Sequence, residues 1–204
     1  GTQTIGFGHK IKTGESDLQR LNDTTPFAIG FQSTSSDMFI HNVTSSGTDN
    51  NIVNGDVGIG LNKLYHVVVS RGSANVKVYV DSALKVTGST SNSTSGTYNL
   101  AASGANYLGH ATQSIDGIIF QYSVWNDDLT LADVQELFND GVALDCNNHT
   151  KSSNLVGYWT NEGSGQWSDR ITSGTNNSST VAGSPDTILL PEGTTTGKDI
   201  LGFP

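Results

Sequence analysis

The feature that most constrains this chain is a period of two, interrupted again and again by turn residues. Ile5, Phe7, His9 and Ile11 fall on one face of an extended segment, and Gly6, Gly8, Lys10 and Lys12 fall on the other. Phe27, Ile29 and Phe31 repeat the pattern, as do Val76, Val78 and Val80. Strands are also predicted over 38–43, 57–61, 64–70, 83–87, 107–110 and 115–125. Arg71 to Asn75 and the Asp81-Ser82 pair are predicted turns, and the low-complexity run Gly88 to Gly96 is a predicted solvated loop. Short strands punctuated in this way build an all-β antiparallel sandwich or jelly roll rather than βαβ units. One such domain accounts for 204 residues.

Charge removes several function classes. A formal charge of −9 leaves too few Lys and Arg to track a phosphate backbone or an anionic membrane, so no nucleic-acid partner is expected. No run approaches the roughly 18 apolar residues of a spanning helix, so no membrane insertion is expected. Cys146, the single cysteine, has no partner for an internal disulfide. Only 14% of residues are charged while Ser, Thr, Asn and Gly abound, a composition common among extracellular and particle-surface β proteins.

One stretch departs from the β pattern. "SVWNDDLTLADVQELFNDG", Ser123 to Gly141, reads as one short α-helix with Thr130 as its cap, Asp133 completing a capping box and Gly141 ending it in the left-handed conformation. Leu131, Val134, Leu137 and Phe138 form its apolar stripe, which should lie across the end of a two-layer sandwich built round a single core. The predicted role is structural, and Asp127 and Asp128 would serve its dipole.

Three blocks give the chain a family likeness: "LNKLYHVVVSRGSANVKVYVDSALKV", "IDGIIFQYSVWNDDLTLADVQELFNDG" and "LVGYWTNEGSGQWSD". Their order and spacing resemble the laminin-G-like, concanavalin A-like jelly-roll superfamily, and together they cover about a third of the chain. Tyr65 stands where that family often has Trp, and Ser82 replaces the usual Gly of its Asp-Gly turn, which predicts a bulged hairpin turn there. "TQTIGFGHKIKT" resembles an early core strand that is usually preceded by an opening strand missing here. Gly1 would then mark a processed or truncated product, with an open sheet edge covered by the C-terminal part or by another chain. The expected division is a jelly-roll domain over 1–190 and an extended C-terminal arm over 191–204. "LLPEGTTTGKDILGFP" and the segment before it resemble C-terminal portions of such domains in tailed-phage virion proteins, especially marine ones.

The resemblance implies a protein that acts by assembly and binding. An enzyme of this fold would need a glucanase Glu-x-Asp-x-x-Glu strand, yet Glu15, Glu136, Glu162 and Glu192 are scattered. No Ser-His-Asp or lyase-type His/Tyr/Arg cluster stands out, so no catalytic residues are assigned. His66, beside "VVV", is expected to be a satisfied polar group near the core, and His9 and His41 likewise. Calcium is the cofactor the resemblance brings in, with Asp49, Asn54 and Asp56 as candidate ligands in an Asn-rich loop. Trp167, Tyr98 and Tyr107 are the candidate glycan-stacking rings. Asp199, Ile200, Leu201 and Phe203 are the candidate assembly contacts of the arm. The leading expectation is a non-catalytic virion-surface module, a phage decoration, head-fibre or tail-fibre protein, with other virion proteins or copies of itself as partners and cell-surface glycans as ligands. The alternative is a secreted bacterial carbohydrate-binding or adhesin domain, and a glycoside hydrolase or polysaccharide lyase ranks last.

Overall fold

A computed structural model describes residues 2–9, 19–24, 27–31, 37–43, 49–59, 63–72, 75–89, 107–108, 117–142, 144–160 and 167–171. Among the described residues the strands are β1 (Thr2–His9), β2 (Gln19–Thr24), β3 (Phe27–Phe31), β4 (Asp37–Val43), β5 (Asp49–Asp56), β6 (Lys63–Arg71), β7 (Asn75–Val80), β8 (Ala83–Ser89), β9 (Tyr107–Leu108), β10 (Gly117–Trp125) and β11 (Leu155–Thr160). One α-helix, α1 (Leu131–Phe138), follows β10. A six-stranded sheet runs β11-β10-β1-β6-β7-β8 and a five-stranded sheet runs β5-β4-β3-β2-β9, with β5 packed against β8. Every pairing among the described strands is antiparallel. The predicted all-β sandwich with one short helix is the observed fold.

Two strands escape alternation. The sequences "QRLNDT" of β2 and "DNNIVNGD" of β5 are mostly polar, so their apolar face is too thin to read. The strand predicted over 57–61 is displaced onto β5: Asp56 Oδ1 accepts the Gly58 N–H at 2.7 Å, and Gly58 takes φ 70, a turn that ends the extended chain. β1 is hydrogen-bonded to β10 on one side and β6 on the other.

The interior is double, not single. Val67 and Val69 of β6 and Val76, Val78 and Val80 of β7 face Ile29, Met38 and Ile40 of the second sheet. Val68, lying between Val67 and Val69 and pointing the other way, joins Tyr79, Trp125, Leu155 and Tyr158 beneath Leu129, Val134 and Leu137. The helix therefore covers the outer face of the six-stranded sheet instead of the sandwich end. Val134 and Leu137 are buried as predicted, whereas Leu131 is 45% exposed because the polar cap turns the first helical residue to solvent.

The β7–β8 hairpin turns in two residues despite its serine. Asp81 and Ser82 sit at φ 48 and φ 62, the mirror-image turn that matches strand twist, and the bulge falls inside the strands between Val78 and Tyr79. Asp81 is tied twice to β6: its N–H donates to His66 O and its Oδ1 accepts the His66 N–H, both at 2.9 Å. Those bonds hold a conformation that a Cβ disfavours by about 1 kcal/mol. Ser82→Gly should therefore raise stability by about 1 kcal/mol in urea unfolding, and Leu137→Ala should lower it by about 2–4 kcal/mol. A Leu137→Ala loss near zero would place the helix outside the cooperative core.

Candidate functional site

The richest polar constellation surrounds α1 and the loop that follows it. Thr130 Oγ1 accepts the Asp133 N–H at 3.4 Å, while Asp133 Oδ2 accepts the Thr130 N–H and O–H, both at 2.7 Å. The predicted capping box is thus present. The helix ends earlier than expected, at Asn139 with φ 47, and a left-handed run continues through Asp140 at φ 54 to Gly141 at φ 87. Lys151 Nζ lies 2.8 Å from Asp127 Oδ2 and 3.2 Å from Asp133 Oδ2. Asp127 is therefore a partner of Lys151 rather than of the helix dipole.

These bonds set the acidities. The Lys151 hydrogen bond holds the Asp127 carboxyl below its ordinary range. Partial burial pushes Asp133 up, but its bonds from Thr130 and Lys151 outweigh this and leave it lowered. Burial likewise pushes Glu136 up, but the bonds from Thr150 at 2.8 and 2.6 Å outweigh it and leave the carboxyl lowered.

His149 belongs to the same group, a placement that spacing alone does not reveal. Its Nε2 is 3.0 Å from Asp133 O and 3.4 Å from Glu136 Oε2, and its Nδ1 accepts the Lys151 N–H at 3.0 Å. The accepting Nδ1 leaves the proton on Nε2, which donates to Asp133 O. Trp125 meets the His149 ring edge-on at 5.0 Å. With no exposed side-chain surface, His149 joins loop to helix and has no route to a substrate. Cys146 is equally enclosed, and burial pushes its thiol up to about 12.

The predicted calcium ligands are not brought together. Asp49 and Asp56 are the first and last residues of an eight-residue strand, roughly 23 Å apart in extended chain. They pair with Val43 and Asp37 at opposite ends of β4. Asp56 caps Gly58 at one end of the strand and Asp49 lies at the other, so the trio does not fit one calcium ion. Among the described residues no group of three or more His, Cys, Asp or Glu could hold a metal ion.

The aromatic candidates fare differently. Tyr107 opens β9 opposite Asp23, and half-buried Trp167 begins the segment Trp167–Ile171. That segment runs beside β11, where Arg170 N–H donates to Tyr158 O at 2.7 Å and Asp169 Oδ1 accepts the Tyr158 N–H at 3.1 Å. Since β5 meets β8, the strands β9 and β11 end their sheets on the same lateral side. Trp159 of β11 is on that side too, tilted on Tyr122 at 5.6 Å and half-buried, unlike the fully buried Trp125. Its ring lies over Gly157, where an added Cβ would come within 2.1 Å of Cη2. Tyr98, Glu15, Glu162, Glu192 and the arm residues Asp199, Ile200, Leu201 and Phe203 lie outside the described residues.

Residues 10–135 match the model of a family described as the concanavalin A-like lectin/glucanases superfamily. The chain belongs to that superfamily. No curated protein matches it. Among solved structures it is similar to a Bacteroides ovatus protein described as a candidate carbohydrate binder, with TM-score 0.59, 12% identity, 83% of this chain and 49% of that one covered. It is also similar to the binding domain of Paraclostridial Mosquitocidal Protein 1, with TM-score 0.48, 15% identity, 68% of this chain and 37% of that one covered. The binding domain of botulinum neurotoxin DC, solved with rat synaptotagmin II, gives TM-score 0.48, 16% identity and coverages of 83% and 46%. The chain thus spans half or less of each solved chain, and at these identities the likeness is one of fold.

Within this superfamily member the carboxylates round α1 act as struts. Their stabilisation is complete above the unfolded carboxylate range and is lost as pH falls through the lowered folded values. Lys151→Met should cost about half a kcal/mol at neutral pH and almost nothing near about pH 2, where the acids are protonated. Urea midpoints measured against pH check this, and an equal loss at both pH values would refute the ion-pair account.

Proposed function

We propose that this concanavalin A-like domain is a non-catalytic binding module whose ligand is a glycan, displayed on a virion surface as a decoration or fibre component. The observation that carries the glycan reading is the convergence of Tyr107, Trp159 and Trp167 positions on one flank, at strands β9 and β11 and the segment beside them. Sugar rings stack on partly exposed aromatic faces, and polar loops supply the hydrogen bonds that orient them. The fold likeness to the Bacteroides ovatus candidate carbohydrate binder supports the same class.

The non-catalytic reading rests on occupancy of the acids. Glycoside hydrolysis needs two carboxyl groups about 5–10 Å apart across an open cleft. Among the described residues Asp81, Asp127, Asp133, Glu136 and Asp169 each accept hydrogen bonds that hold turns, caps or strand edges. The virion placement draws on the resemblance of the C-terminal segment to tailed-phage proteins and on the Ser, Thr, Asn and Gly-rich, acidic composition.

The purified chain should be retained on a glycan array without releasing reducing sugar from a polysaccharide panel. Trp167→Ala or Trp159→Ala should weaken retention about tenfold or more, with the Trp167 variant close to wild type in thermal stability. Retention unchanged in both variants would remove the flank from the proposal. Mass spectrometry of purified particles tests the virion location, and consistent absence from them would favour the secreted bacterial module.

A further inference from the structure

His66 is half-buried, yet one of its ring nitrogens breaks the rule that a buried polar atom is satisfied. It sits on β6 with Val68 and Ser70, on the face of the six-stranded sheet that α1 covers, and its ring stacks on Phe138 at 6.0 Å and 29°. Nδ1 is buried and has no hydrogen-bond partner. Its backbone, by contrast, is held firmly by Asp81 at both N–H and carbonyl.

Among the described residues no charged group is bonded to Nδ1. The β1 residue paired with His66 is Gly6, which has no side chain. The β7–β8 turn brings Asp81, but its carboxylate is engaged by the His66 amide and lies under the influence of Lys85 of β8. From the helix side, Glu136 is bonded to Thr150 and Asp140 is exposed beyond Phe138. On β6 itself the same-face neighbours Leu64 and Val68 are apolar. Burial accordingly lowers the imidazole to about 4.

The part of the helix above His66 is also its least secure end. Asn139 and Asp140 are non-glycine residues held at φ 47 and φ 54, conformations that persist only where packing enforces them. Phe138 is half-buried, whereas Val134 and Leu137 earlier in the helix are 0% and 5% exposed.

We propose that His66 is an acid-sensitive latch, whose protonation releases Phe138 and the left-handed turn Asn139–Gly141 from the outer face of the six-stranded sheet. In the closed state the ring is neutral and fits against Phe138. In the opened state water solvates the imidazolium at its ordinary acidity. Opening then gains a proton as pH falls below about 6.5, and its equilibrium rises by up to tenfold per pH unit until the closed-state value is reached. Release uncovers the part of the sheet face round His66 that Phe138 covers, so acid would expose apolar surface that is hidden at neutral pH. The latch is independent of the glycan proposal.

Hydrogen exchange of the full chain, followed by mass spectrometry at several pH values between 7.5 and 5 and corrected for the intrinsic pH dependence of exchange, tests it. Amides of residues 137–142 should open about tenfold more per pH unit below about 6.5, while those of β3 and β4 stay protected. His66→Phe, which keeps a ring against Phe138, should abolish the pH dependence. If that variant fails to fold, the wild-type imidazole titration by NMR serves instead, and a folded-state value near 6.5 overturns the latch. A flat wild-type profile, an unchanged slope in His66→Phe, or equal loss of protection in β3 and β4 would each overturn it as well.

Discussion

The structure depends on a sheet that is buried on both faces. Val67, Val68 and Val69 are consecutive and are 0%, 0% and 2% exposed, so β6 cannot present one face to solvent as an ordinary sandwich strand does. Val67 and Val69 hold the second sheet, and Val68 requires a cover of its own. Helix α1 is that cover. Removing it would leave Trp125, Tyr158, Val68 and Tyr79 facing water, an apolar area too large for a stable exposed surface. The short helix is therefore as much a part of the core as any strand.

Polar contacts decide where the cover sits. Ser70 Oγ donates to Leu129 O at 3.0 Å, which ties β6 to the residue just before the helix cap. Lys151 and His149 then bind the loop after the helix to its first turn, and Gln121 Nε2 donates to Leu144 O at 3.2 Å and Tyr158 Oη at 2.9 Å. Apolar burial is indifferent to small sliding motions, whereas these bonds fail over fractions of an ångström. The carboxylates of Asp127, Asp133 and Glu136 serve this purpose. Edge protection follows the same logic: the Asp169 carboxylate takes the Tyr158 N–H as a neighbouring strand's carbonyl would, so β11 offers less open ladder to other chains.

Functional capacity then falls to the flank and loops that the core does not consume. Membership of the superfamily gives the fold, and a fold by itself does not name a ligand. The positions of Tyr107, Trp159 and Trp167 come from distant parts of the chain and fall on one lateral side because strand order, not sequence order, puts β9 and β11 at those sheet ends. Of these, Trp159 also packs against the core between the sheets, beside Tyr122. Gly157, two residues earlier on the same strand face, is the local mark that its ring lies along the strand.

The sequence by itself determined the fold class, the β6–β7–β8 hairpins, the helix and its capping box, because alternation, turn residues and caps act between near neighbours. The triple valine was also a readable sign of two-sided burial, though alternation drew attention away from it. Tertiary structure alone decided that the helix lies on the sheet rather than at its end, that Asp49 and Asp56 part along β5, that His149 joins Glu136, and that His66 Nδ1 is left without a partner. Each of these depends on which distant surfaces become dry together. Burial on that scale is a property of the packed layers, and no local spacing of residues encodes it.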